Sequence, residues 1–382
     1  MKVEQVYEIV NGLTQQYLGS EAVVQTDLSN IVDIGSATIG LENLDRYVNS
    51  LIDQIGKVMF VNRPYSGKTP SLMVDGWEYG AILEKITYDT PPEAEENLTW
   101  KLQDGVSYDP NIFTQPKVSA KFFSKKVTYD IPMSFAERQV KTAFQSATQL
   151  NAFFSMIENA ISRSMTVKID QLSESALNNM IALTIDSGDS TRAVNLLSLY
   201  NTRYSKSLTA AQAVTDPEFI RYSTYIMGLY AERLQRLSTL FNDGGKDRFT
   251  PTDMLHVILL SEFSAAAKTY LQSDTYHDQY VSLINHESVP YWQGSGTDYA
   301  FTSTSAINVK MNDGETSGGK AVSASGILGV MFDRYAVGVA NLDRRVTSNY
   351  NGRAEFYNNW YKFDAGYFND PNENFVVFYA AS

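Results

Sequence analysis

Apolar residues recur at steps of mostly three and four through Leu150, Phe153, Phe154, Ile157, Ile161, Met165, Ile169, Leu172 and Met180. A stripe kept over that distance predicts one helix from about Leu150 to Leu183, which at 1.5 Å per residue approaches ~50 Å. Shorter amphipathic patterns predict helices within 41–60 (Leu44, Val48, Leu51, Ile52, Ile55), over 219–240 and over 261–271. Strand signals are of two kinds. Val118–Phe123, Val127–Ile131 and the set Tyr361, Phe363, Ala365 and Tyr367 suit strands, the last set alternating as one face of a long strand would. His256–Leu260 is instead a nearly continuous apolar run, as in a strand covered on both faces, and Val281–Ile284 and Gly326–Phe332 also read as strands. Gly294-Ser295-Gly296 and Asn312-Asp313-Gly314 supply turns between them. Ser134 and Glu137 stand at capping-box spacing, which predicts a helix start there.

Two regions break the pattern. Residues 1–40 mix small, polar and β-branched types without sustained periodicity, and are expected to form an extended arm ordered by a partner surface. Six of the eleven prolines fall between Pro64 and Pro116, around the strand-like pieces Leu72-Met73-Val74 and Ala81-Ile82-Leu83. Proline is confined to sheet edges and turns, so this region is expected to be a long two-stranded excursion rather than a core module.

Composition narrows the class. With 43% apolar residues among 382, the chain can bury a core in two or three domains, and no stretch is apolar for the ~18 residues a membrane helix needs. The start Met1-Lys2-Val3-Glu4-Gln5 lacks the apolar segment of a secretory signal. Cysteine is absent, which excludes disulfides, thiolate metal sites and a thiol nucleophile. A net charge of −12, from 43 acidic against 31 basic residues, argues against phosphate-driven nucleic-acid binding.

No catalytic constellation emerges. Ser66-Gly67-Lys68-Thr69 resembles the end of a phosphate-binding loop, but Asn62 stands where the pattern needs glycine, and Pro70 stands where a helix should continue. His256, His277 and His286 are far apart; Asp274, His277 and Asp278 could share a helix end, without the second His at i+4 that a metal site wants. There is no Gly-x-Ser-x-Gly elbow, and the acidic pairs Asp243/Asp247 and Glu93/Glu95 fix no glycosidase geometry. Asn97-Leu98-Thr99 is a glycosylation triplet with no secretory context. The aromatic series Phe356, Tyr357, Trp360, Tyr361, Phe363, Tyr367 and Phe368 allows a sugar platform, although strand packing against the long helix suits its alternation better. Catalytic, cofactor-binding and metal residues are therefore all expected to be none.

The order of elements resembles the Hong Kong 97-type major capsid fold of tailed phages, and most of all the major head proteins of phi 29-like podophages. The stretches that carry the resemblance are Ser50–Gly56, Lys141–Phe144 leading to Phe153–Ile161, and Tyr357-Asn358-Asn359-Trp360-Tyr361. It implies an α+β fold with an N-terminal arm (1–40), a first peripheral part (41–63) and an extended loop (64–128) lying over a neighbouring subunit. A peripheral domain with the spine helix (129–189), an axial domain (190–342) and a returning peripheral strand (343–382) would follow. It further implies a non-enzymatic subunit, without cofactor, that joins hexamers and pentamers of itself in the virion shell around double-stranded DNA. Partners implied are a scaffolding protein, a portal protein and head fibre or decoration proteins, with no membrane, and assembly in the host bacterial cytoplasm. With the sequence ending at Ser382, no immunoglobulin-like decoration domain is expected, and a non-covalent shell is expected because no residue set for crosslinking is identifiable. An encapsulin-like compartment shell and an aromatic-rich glycan-binding virion protein are the alternative readings.

Overall fold

The stripe that begins at Leu150 is the inner face of a 40-residue helix, Ala147–Asp186, in a computed structural model of the chain. All nine of its expected apolar positions are buried. The helix starts where the Ser146 hydroxyl accepts the Gln149 N–H, and ends before Gly188, which takes a left-handed φ of 67°. The structure describes residues 3–18, 24–25, 30, 33, 50, 69–74, 83–88, 96, 100–107, 111, 117–143, 145–272, 284–293, 300–311 and 319–381. The helix expected within 41–60, the strand at 281–284 and both predicted glycine turns fall outside them, apart from the single residues Ser50 and Ile284.

In chain order the described helices are α1 (Val3–Leu18), α2 (Glu137–Ala143), α3 (Ala147–Asp186), α4 (Leu196–Tyr204), α5 (Ala210–Ala213), α6 (Pro217–Leu234), α7 (Ser261–Gln272) and α8 (Phe301–Thr304). The strands are β1 (Leu83–Tyr88), β2 (Val118–Phe123), β3 (Lys126–Ala136), β4 (Ala193–Asn195), β5 (Leu255–Leu260) and β6 (Glu287–Val289). They continue with β7 (Ile307–Met311), β8 (Lys320–Ala324), β9 (Ile327–Asp333), β10 (Val337–Asn351), β11 (Phe356–Asn369) and β12 (Phe375–Tyr379).

The chain divides into two compact units. The first takes residues 1–78, 126–172 and 339–366. Its sheet has the order β10-β11-β3, with β3 at an edge, and this is why Pro132 is tolerated opposite Trp360. Tyr357, Asn359, Tyr361, Phe363 and Ala365 all lie on one buried face of β11, and Phe135 of β3 meets Phe153 of α3 at 5.3 Å between ring centres. Strand packing, not a sugar platform, accounts for the aromatic series.

The second unit takes residues 79–125, 173–338 and 367–382, around a five-stranded sheet of order β4-β12-β9-β5-β6. The apolar run at 256–260 is an interior strand of that sheet, as its sequence implies, and every residue of β9 is buried. Gly326 precedes β9 with φ of 76°, and a Cβ there would lie 2.1 Å from the Ala380 carbonyl oxygen, so the close approach of the two segments requires glycine.

Four expectations need correction. The extended arm at 1–40 contains α1, with Val10, Leu13 and Thr14 buried; the repeat of apolar residues at three and four was present but interrupted by polar and small residues such as Gly12. The segment expected to open the excursion instead packs in the first unit: Leu72 is fully buried and Met73 bridges to Val339. Ser134 forms no capping box. It belongs to β3 and its hydroxyl donates to Asn358 Oδ1 at 2.6 Å, while Gln139 Oε1 accepts the Ala136 N–H. Finally, residues 367–382 group with the second unit, since β12 is hydrogen-bonded between β4 and β9 and all but its last residue are buried.

Candidate assembly surface

β1 and β2 form an antiparallel ribbon within the second unit, with Leu83 opposite Phe123 and Tyr88 opposite Val118. Strand alternation gives it two unlike faces. One carries Lys85, Thr87, Ser119, Lys121 and Phe123, all at least partly buried. The other carries Glu84 and Ile86 on β1, and Val118, Ala120 and Phe122 on β2, all exposed. Ile86 is 66% and Phe122 62% accessible, and the segment between the strands adds Trp100 and Leu102 at 68% and 80%. Single exposed apolar residues are ordinary, but several on one two-stranded ribbon make it a candidate contact surface.

The inner face is held by charge. Lys85 and Lys121 stand directly opposite each other, a pairing that costs energy on its own. Asp370, just after β11, resolves it: one carboxylate oxygen accepts from Lys85 and the other from Lys121, each at 2.8 Å. Lys85 also reaches Glu373 at 2.7 Å and the Tyr335 carbonyl at 3.4 Å. Arg248 closes the cluster, donating to Glu373 at 3.2 Å and to the Thr87 hydroxyl at 3.1 Å. The Asp370 side chain is 3% accessible. Burial alone would raise its pKa, but Lys85 and Lys121 outweigh that and hold it below the ordinary carboxylate value. Its contribution to stability is therefore complete above the unfolded carboxylate pKa of ~3.9 and is lost as pH falls through the lower folded value.

The residues weighed for chemistry do not come together. Ser66–Lys68, Glu93, Glu95, Asn97–Thr99, Asp274, His277 and Asp278 lie outside the described residues, and Thr69 is buried beside a 3-10 turn. Asp243 pairs with Arg192 at 2.6 Å, and the Asp247 carbonyl accepts from Arg248. His256 sits in β5 with its ring 5.9 Å from Phe332, and burial lowers its pKa. His286 was more interesting than its sequence context suggested: Nε2 lies 2.7 Å from the Ser264 hydroxyl and Nδ1 2.7 Å from the Ile284 carbonyl. A serine–histidine pair of that geometry suits nucleophile activation, yet Ser264 is buried. Among the described residues no group of three or more metal-ligating side chains occurs.

An exposed apolar ribbon, with no metal-ligating cluster among the described residues, fits what the chain is similar to. The family model described as "Phi29-like phage major capsid protein" matches residues 6–379. The chain belongs to that family. No curated protein sequence matches it. Among solved structures, the capsid of Staphylococcus phage Andhra is similar over 84% of this chain and 86% of that chain, at 11% identity and a TM-score of 0.52. A chain in the structure of the head fiber and inner core protein gp22 of native bacteriophage P68 is similar over 83% and 85%, at 9% identity and a TM-score of 0.51. At such identities the likeness concerns the fold, and it is the mixed helix-and-sheet fold of phage capsid proteins. This chain is a subunit of a tailed-phage capsid shell, and its place is in the virion. The ribbon is accordingly a surface of a shell subunit.

Proposed function

We propose that the capsid protein assembles through its β1–β2 ribbon, whose outer face lies over a neighbouring copy in hexamers and pentamers of the shell. The observation that carries this is the two-sidedness of the ribbon, with Lys85 and Lys121 paired to its own subunit and Ile86, Val118 and Phe122 facing outward beside Glu84. In this reading the first unit is the peripheral domain and the second the axial domain. The shell is held without covalent crosslinks, with a scaffolding protein and a portal protein as assembly partners and head fibre or decoration proteins on the outside. It encloses double-stranded DNA that it does not read, since a net charge of −12 disfavours a close grip on phosphate. The subunit carries no catalytic activity, and assembly takes place in the host bacterial cytoplasm.

Charging the outer face tests the proposal. The double variant Ile86→Lys, Phe122→Lys changes exposed side chains only and sets the second new charge opposite Glu84, of opposite sign, so the free subunit should melt within about 0.5 kcal/mol of the parent stability. Shell yield, measured by sedimentation, should fall at least tenfold. Normal shells from that variant would show that the outer face contacts no neighbour.

A further inference from the structure

The five-charge cluster does more than fill space at the ribbon's root. Its members come from four separate segments: Lys85 from β1, Lys121 from β2, Arg248 from the loop before β5, and Asp370 and Glu373 from the turn between β11 and β12. The Thr87 hydroxyl, the Tyr335 carbonyl and ring, the Phe123 ring beside Lys121 and the Asn372 N–H, which donates to Asp370 at 3.1 Å, also face it. The inward apolar pair of the ribbon is Leu83 and Phe123, with the Phe123 ring 5.4 Å from Phe368, and beyond it the inward positions are Lys85, Thr87, Ser119 and Lys121. Immediately past Phe123 come exposed Ser124 and Lys125, the natural pivot. Beside that pivot lies a cleft of about 560 Å³, bordered by Phe122, Lys125, Met180, Lys310 and Phe368, which leaves room for the root to move.

We propose that the cluster of Lys85, Lys121, Arg248, Asp370 and Glu373 is a releasable latch that sets the direction of the ribbon from its own subunit, with Ser124–Lys125, just past the Leu83–Phe123 pair, as the pivot. Closed, it holds the apolar outer face in one fixed orientation. Open, it frees the ribbon to swing while the five-stranded sheet stays intact. Its consequence for assembly rests on the reading of the ribbon as the contact between copies; the latch itself does not.

Electron–electron resonance distances on the free full-length subunit test it. The chain has no cysteine, so Ala120→Cys and Thr239→Cys, both at exposed positions, place one spin label on the ribbon and one on the body of the same unit. The parent should give a single narrow distance distribution at neutral pH. Adding Lys85→Met and Lys121→Met should at least double its width while the melting transition stays cooperative. A narrow distribution in that variant, or a broad one in the parent, overturns the latch. Loss of cooperative folding also overturns it, because the cluster would then be part of the core. Asp370→Asn, which keeps both lysines, should broaden the distribution as well, and a narrow one there counts equally against the proposal. If the ribbon is freed but shell yield is unchanged, the latch stands and the ribbon's role between copies falls.

Discussion

At the scale of single residues, the molecule separates burial by size from burial by charge. Ile157 is fully buried in the middle of the α3 stripe, where an introduced carboxylate would lose its water. Ile157→Asp should therefore cost several kcal/mol, a large share of the ~5–15 kcal/mol that holds a domain together. Far-UV circular dichroism should show an unfolded or aggregated product; a soluble variant with the parent melting curve would mean that the stripe is not core. The periodicity of α3 made this residue legible, because spacing alone told which side of the helix is covered. The charge cluster was not legible in the same way. Lys85 and Asp370 lie 285 positions apart, and each is an ordinary charged residue in its own stretch. Nor could the Ser264–His286 pair be found from spacing, since 22 residues separate its members and the strand β6 and helix α7 bring them together.

Among elements, long and regular patterns translated directly. The helix expected over 150–183 is Ala147–Asp186, and the run at 256–260 is Leu255–Leu260, because in both cases the pattern itself states what must be covered. Short or interrupted patterns misled. α1 carries Gly12 in its middle and polar residues around it, so its stripe looked like noise until tertiary packing covered Val10 and Leu13. The excursion was recognisable from its prolines, but its boundary was not, because Leu72 looks the same in sequence whether it packs at home or on a neighbour. That placement sets the bounds of the deletion that tests the element. Replacing residues 89–117 with a short Gly/Ser linker spares Leu72, both strands of the ribbon and the charge cluster. The free subunit should then melt cooperatively near the parent temperature, and shells should not form, because each copy would lose the Trp100, Leu102 and Val106 surface together. Unfolding of the subunit, or normal shells, would remove this segment from the assembly contact.

For the whole molecule, the account rests on a division of labour between two units. One is built on β10-β11-β3 and the first part of α3, the other on the five-stranded sheet with the ribbon at its side. Family membership over residues 6–379 makes the chain a shell subunit, and the physics explains why such a subunit leaves apolar surface uncovered when alone: repetition around a closed lattice supplies the missing contacts to every copy at once. The net charge of −12 fits the proposal that the shell encloses double-stranded DNA without gripping it. The most direct test is a cryo-electron microscopy reconstruction of the particles formed when the chain is expressed with a scaffolding partner. Closed shells of uniform size are expected, with Ile86, Val118 and Phe122 of every ribbon buried against an adjacent copy and Lys85 and Lys121 still bonded to Asp370 of their own. Shells in which those three apolar side chains remain open to solvent would contradict the account.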